Sequence, residues 1–329
     1  MKQTARLLAQ IGDPRSAVST PPYGNPSAAS ACVTALATIG TASALQCSAQ
    51  LCAMNDWLVG TELARAWIAF DSREFASIIW GARNDVVLPA LDYLTFLTAL
   101  PPRNCIRVLA TNGLAPLAGL TGLQQLILAG TEVKDLHPLS TLADLQSLDL
   151  EDTEVTDLTP LARITSLRTL KLSGTAVKDL RPLVGLEDLE ALDLSAAEVV
   201  DLAPLARMAS LRTLNLTTVD MVNLTPLARI VSLQELFLGD SQVTDLRPLA
   251  GMTNLRTLGL SLNGIADLSP LAGLANLETL DLSTNRITDL RPLAGLTNLR
   301  ALNLSGYRGH GPISAGKADQ SRDTRIVGH

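Results

Sequence analysis

The chain has 329 residues, 47% hydrophobic and only 3% aromatic, which excludes a wholly disordered protein and a core built on large rings. The formal charge is −6, and it is unevenly spread: residues 113–307 carry 23 acidic and 14 basic side chains, a net −9, against +1 for residues 1–112 and +2 for residues 308–329. An acidic central stretch repels phosphate backbones, so nucleic acid is not an expected partner of it.

Residues 1–26 are polar and turn-rich, with Asp13-Pro14, Pro21-Pro22 and Asn25-Pro26 opposing regular structure. From Ser16 to Asn55 there is no charge, and residues 28–45 are rich in Ala, Ser and Thr. That run is only mildly apolar and has no Lys or Arg beside it, so residues 1–55 read as a flexible leader rather than a membrane span. Ala42-Ser43-Ala44 after the apolar run offers a cleaved signal as the alternative, and the composition resembles the export signals of translocated bacterial effectors. The expectation is a cytoplasmic protein, with a secreted or translocated one as the alternative. Cys32, Cys47, Cys52 and Cys105 form no C-x-x-C pair and fit reduced thiols, a Cys47–Cys52 disulfide being the alternative in an exported chain. With His137, His310 and His329 the only histidines, no tetrahedral zinc set assembles, and neither metal nor cofactor is expected.

Residues 56–103 read as a helical N-terminal cap. Asp56 can cap a segment bearing Trp57, Leu58, Leu63, Trp67, Ile68 and Phe70. Ser72 opens a second helix with Ile78, Ile79 and Trp80, and residues 91–100 make a third, stopped by Pro101-Pro102. Ile106-Arg107-Val108 then predicts a short strand and Leu114-Ala115-Pro116-Leu117 its return, a degenerate first repeat.

From there the chain repeats itself every 22 residues. Leu126, Leu148, Leu170, Leu192, Leu214, Leu236, Leu258, Leu280 and Leu302 form an unbroken comb. Around each tooth runs L-x-x-L-x-L-x-x-(T/N)-x-(V/I)-x-D-L-x-P-L. A fixed period of this length is the mark of a solenoid with one supersecondary unit per repeat. The phrase resembles the leucine-rich repeat, in the 22-residue class of bacterial internalins and of the regulatory subunit of protein phosphatase 1. The resemblance covers residues 113–307 and implies an α/β solenoid: a horseshoe with a concave parallel sheet and short helical turns on the convex side. The repeat domain is set at 104–307, and residues 308–329 form a polar tail that leaves Leu302 and Leu304 poorly covered.

Within each repeat, L-x-L predicts a short strand whose leucines face the core. Thr131, Thr153, Thr175, Ser241, Asn263 and Asn285 follow it where the family usually places Asn to bond neighbouring backbones. Thr and Ser supply fewer such bonds, and Ala197 and Val219 supply none, which predicts a looser seam near the middle. Proline after D-L-x suits the first position of a helical turn, with Thr159, Thr225 or Ser269 just before it as a cap. The Asp column from Asp135 to Asp289, with Asn223 in its fifth place, is expected to accept backbone N–H bonds in its own turns. A single row of carboxylates does not converge on one point as calcium requires.

The residue inside L-x-L is read as free of packing duty and so available to a partner. Down the stack these are Ile127, Asp149, Lys171, Asp193, Asn215, Phe237, Gly259, Asp281 and Asn303. Candidate contacts are Phe237, Lys171, Asp149, Glu151, Asp193, Asn215, Glu235 and Asp281, with Phe237 as an aromatic anchor and the acids around Lys171 steering a basic partner. Nine strands at ~4.8 Å give a face of roughly 40 Å, and with a usable width of ~15–20 Å it approaches the ~800 Å² per side of a standard protein–protein interface. A small-molecule substrate needs a deep concavity and is not expected. No Ser/His/Asp set, P-loop or dinucleotide fingerprint occurs, so an enzyme is not expected either. The expected function is non-catalytic binding of a protein partner on the concave face. The alternative is an adaptor or translocated effector in which the repeats select a target and residues 1–103 recruit or act.

Overall fold

The computed structural model of the chain describes residues 85–88, 105–108, 113–220, 223–306 and 325–327. Among these residues 12 strands form a single parallel sheet in strict chain order. The strands are β1 (Asp85–Leu88), β2 (Cys105–Val108), β3 (Gln125–Ile127), β4 (Ser147–Asp149), β5 (Thr169–Lys171) and β6 (Ala191–Asp193). There follow β7 (Thr213–Asn215), β8 (Glu235–Phe237), β9 (Thr257–Gly259), β10 (Thr279–Asp281), β11 (Ala301–Asn303) and β12 (Arg325–Val327). The comb sets the register: Leu126 pairs with Leu148, Leu148 with Leu170, and so on to Leu280 with Leu302. Each such leucine up to Leu280 is essentially sealed from solvent, as is the second leucine of L-x-L.

The return of each repeat is a 3-10 turn, such as His137–Thr141, Arg181–Gly185 or Ser269–Gly273. The sequence dictates that choice. Leu136, Leu139, Leu142 and Leu145 recur every third residue, and a 3-10 helix has three residues per turn, so all four point the same way into the core. They are buried, and Leu139 N–H donates to Leu136 O and Leu142 N–H to Leu139 O. The solenoid core is therefore leucine from the strand on one side and leucine from the turn on the other.

Proline occupies the second position of most of these turns, not the first, because each turn begins one residue earlier than the sequence pattern indicated. Thr159, Thr225 and Ser269 are then the first turn residues and not caps, and the residue before each is a leucine with no side-chain cap bond. The acidic column takes over that duty. Asp135, Asp157, Asp179, Asp201, Asn223, Asp245, Asp267 and Asp289 each accept the backbone N–H two residues on, at 2.8–3.0 Å. Asn223 does this as well as any aspartate, which confirms a turn-forming role.

Asp179, Asp245 and Asp289 also grip Arg181, Arg247 and Arg291 through two carboxylate oxygens. The guanidinium, followed by the backbone N–H, holds each of these carboxyls down at about 2. A depressed folded-state pKa adds stability above the unfolded value near 3.8 and loses it as pH falls through the folded value. The melting temperature should therefore drop between about pH 4 and pH 2. The triple variant Asp179→Asn/Asp245→Asn/Asp289→Asn, which keeps the turn bond as Asn223 does, should show a flatter melting profile across that window. An unchanged profile would remove these pairs from the account of acid stability.

The two ends differ from expectation. Residues 85–88, placed inside the helical cap, form β1, which pairs in register with β2 through Val86 and Ile106. The sheet thus starts one strand earlier, and Val86-Val87-Leu88 stands ahead of Ile106-Arg107-Val108 as another strand phrase. The rest of the expected cap and the leader lie outside the described residues. At the other end, Ile326 of β12 pairs with Leu302, so the tail returns to extend the sheet beyond β11. Leu304 is buried, while Leu302 is only partly so.

Stacked repeats are stitched by two side-chain seams. In the first, Thr131, Thr153 and Thr175 donate only to a leucine carbonyl of their own repeat. Ser241, Asn263 and Asn285 donate across to the repeat before, at Leu216, Leu238 and Leu260. Ala197 and Val219 are buried and apolar there, as the sequence indicated. The second seam was not foreseen. Ser166, Ser232, Asn254, Asn276 and Asn298 donate to carbonyls of the preceding repeat at 2.7–2.9 Å. Both seams are densest after Leu211.

A further column was also unforeseen. Gly130, Asp152, Gly174, Ala196, Thr218, Asp240, Leu262, Thr284 and Gly306 all adopt positive φ, between 50° and 75°. The chain leaves each strand from β3 to β11 through a left-handed residue, a conformation that costs a branched or bulky side chain roughly 1–2 kcal/mol. Leu262 is held there with 54% of its surface exposed.

Candidate protein-binding face

Three side-chain rows line the concave sheet, since residues i and i+2 of a strand share a face. The middle row has the register read from the sequence: Ile127, Asp149, Lys171, Asp193, Asn215, Phe237, Gly259, Asp281 and Asn303 lie side by side. Glu235 belongs to the row before it, between Thr213 and Thr257, and accepts a long 3.4 Å bond from the Thr213 hydroxyl. Glu151 belongs to the row after and is exposed.

The structure corrects the view that the middle row is free of structural duty. Asp149, Asp193, Asn215, Asp281 and Asn303 each accept the backbone N–H of the residue two positions on, just beyond the strand's end. Asp193 and Asn215 also accept from Ser195 and Thr217 hydroxyls at 2.7 Å. Asn215 in turn donates to the second oxygen of Asp193 at 3.2 Å. These acids and amides close the strand ends, which explains their recurrence without a ligand. Ile127, Lys171, Phe237 and Gly259 are the members of the row that have no oxygen to offer such a bond.

Lys171 reaches Asp149 with its Nζ 3.0 Å from Oδ2. That carboxylate holds the ammonium above its ordinary value, and Glu151 and Asp193 add to the effect. Asp152, next along the chain from Glu151, sits at the left-handed exit, with its carboxylate over Gly174. Phe237 is half-buried, and the cause lies next door. A Cβ at Gly259 would meet the ring's Cδ1 at 3.0 Å, so the ring leans into room that only a glycine leaves. Gly239, in the third row, is itself buried. The result is one flat aromatic surface near the middle of an otherwise polar trough.

Sequence reasoning missed the rim beside this trough. The residue that precedes each strand gives the row Gln124, Gln146, Arg168, Glu190, Arg212, Gln234, Arg256, Glu278 and Arg300. Arg168 pairs with Glu190, and Arg256 and Arg300 both pair with Glu278, at 3.0–3.4 Å. The signal was available: reading this column down the comb exposes the alternation. Among the described residues no group of His, Cys, Asp or Glu is arranged to hold a metal ion, and no helix is long and apolar enough to cross a membrane.

Comparisons with known proteins agree with this architecture. The family model described as leucine-rich repeats (2 copies) matches residues 231–273 and 275–308. An internalin (inlF) from Listeria monocytogenes is 30% identical, with a TM-score of 0.60 over 69% of this chain and 68% of that one. Internalin C2 (inlC2) from the same organism is 39% identical, with a TM-score of 0.54 over 58% of this chain and 83% of that one. The fold alone is shared with TLR13 in its complex with ssRNA13, at 22% identity and a TM-score of 0.60 over 72% of this chain and 38% of that one. No curated protein matches the chain. Leucine-rich-repeat proteins of this kind are generally interaction scaffolds rather than enzymes. Comb, parallel sheet, 3-10 returns and sequence identity converge, and the chain belongs to the internalin-like leucine-rich-repeat proteins.

Proposed function

We propose that this protein is a non-catalytic binding module that holds a protein partner on the concave face of its repeats. One observation carries the reading: on the central row, Phe237 and Lys171 are the large side chains near the middle that do not close a strand end. A half-exposed aromatic ring at the centre of a broad rigid sheet is the arrangement that favours an interface hot spot. Lys171 and its surrounding carboxylates give the approach to that ring a defined charge pattern, which governs association rate and partner choice more than final affinity. The Lys171–Asp149 pair itself is a partly exposed ion pair, worth roughly 0.5 kcal/mol to the fold.

The test is quantitative capture from a lysate with the full chain and with Phe237→Ala/Lys171→Glu, followed by titration of the captured partner. The double variant should keep its melting temperature and bind about 30-fold more weakly, which corresponds to about 2 kcal/mol. A partner that persists undiminished on a folded variant would move the interaction off this face. The adaptor reading, with residues 1–103 recruiting or acting, would then take its place.

A further inference from the structure

We propose a second docking surface, on the flank that joins the 3-10 turns to the strands, which takes an acidic segment of a protein partner. In most repeats this flank carries a carboxylate or a paired arginine. Across three consecutive crossings, residues 207–212, 229–234 and 251–256, it carries no acid at all, but Arg207, Arg212, Arg229 and Arg256. Arg256 is neutralised by Glu278 at 3.0 Å. Arg207, Arg212 and Arg229 are exposed and make no ion pair among the described residues.

Arg163 and Arg286 also lack an ion pair among the described residues, but neither has another unpaired arginine in an adjoining repeat. The described lysines Lys134, Lys171 and Lys178 all pair with carboxylates. So do Arg168, Arg181, Arg247, Arg256, Arg291 and Arg300. On a solenoid with net charge −9 over residues 113–307, three adjacent unpaired arginines on one flank form a local field opposite in sign to the whole. The crossing before, residues 185–190, holds the acids Glu187, Asp188 and Glu190, of which Glu190 is committed to Arg168 at 3.4 Å.

Val231 lies among these arginines and exposes 60% of its surface. The segment around it is rigid, since the Val231 carbonyl accepts from Asn254 at 2.8 Å and Ser232 donates to Leu211 O at 2.7 Å. A fixed apolar spot on the flank that carries these exposed arginines fits an extended segment that alternates acidic and small apolar residues. Carboxylates on one face of such a segment recur every ~6.8 Å against a ~4.8 Å step between repeats, a difference of ~2 Å that arginine's long side chain can span. A nucleic acid is a poorer fit, because the flank has no aromatic ring on which a base can stack and the repeats as a whole repel phosphate.

The experiment titrates the full chain against a short fluorescent peptide of alternating Glu and Val, beside its Lys–Val counterpart and a short single-stranded oligonucleotide. The wild type should bind the Glu–Val peptide, more weakly as salt rises, and not the Lys–Val one. Arg207→Glu/Arg212→Glu/Arg229→Glu should weaken binding at least about tenfold, and the triple Gln variant by an intermediate factor. Arg286→Glu, an unpaired arginine on the opposite flank, should leave binding unchanged. Equal binding by the triple Glu variant, no binding by the wild type, or tighter binding of the oligonucleotide would overturn the proposal. None of these outcomes depends on Phe237, so the concave-face reading stands or falls separately.

Discussion

Replacing Asn263 with Ala should lower the unfolding free energy by about 3 kcal/mol, measured by chemical denaturation. Its Nδ2 donates to Leu238 O at 2.7 Å, and to Leu260 O and Ser261 O at 3.0 Å each. Its Oδ1 accepts from Val243 N at 2.8 Å and Ser241 N at 3.2 Å. One amide thus serves polar groups of two repeats, and the apolar replacement strands several of them where leucine surrounds the backbone. Thr153→Ala is the informative comparison. Its hydroxyl makes one bond, 2.7 Å to Leu150 O in its own repeat, so its loss should cost only about 1 kcal/mol. Equal costs at the two sites would show that bonding between repeats is not what the asparagine contributes.

Leu214→Ala should cost a similar ~3 kcal/mol, because the side chain is fully buried and the stacked neighbours cannot collapse into the space. Its second effect is the more diagnostic. Ala197 and Val219 stand on either side of this strand in the first seam, and neither ties one repeat to the next. A solenoid's stability is a sum of repeat terms and nearest-neighbour terms, so weakening the core where the seam is already bare should divide the cooperative unit. Hydrogen exchange should then show residues 113–210 opening before residues 223–306. Leu258→Ala, placed between Ser241 and Asn263, should cost as much but keep a single transition. A single transition in both variants would mean that leucine stacking alone carries cooperativity through the molecule.

Much of this was legible in the residues, for a physical reason. A leucine every 22 residues can be buried only if the strands align tooth to tooth, so the comb predicts register as well as fold. The order of side chains across the concave face, from Ile127 to Asn303, followed from that alone. What stayed hidden was the second seam, whose hydrogen-bond partners lie 21–23 residues away, such as Asn276 to Thr253 or Asn254 to Val231. These exist only once the stack is assembled. The same holds for Asp193 and Asn215. By residue type they are ordinary exposed polar groups, and their duty at the strand end is visible only beside the N–H they accept. The left-handed exits were hidden because they are imposed by the stack, which places even Thr218 and Leu262 where local preference alone would select glycine.

The uneven seams also bear on how the protein is made. A ribosome releases the Thr-bearing repeats first, and those hydroxyls bond only within their own turn. The amides that grip a neighbour, Asn254 to Asn298, emerge last. Each of those asparagines reaches back to the repeat already synthesised, so the late-made half can lock itself as it arrives. The early half has one such clasp, from Ser166 to Leu145 O. Order therefore spreads more readily from the late-made repeats back through the stack, against the direction of synthesis.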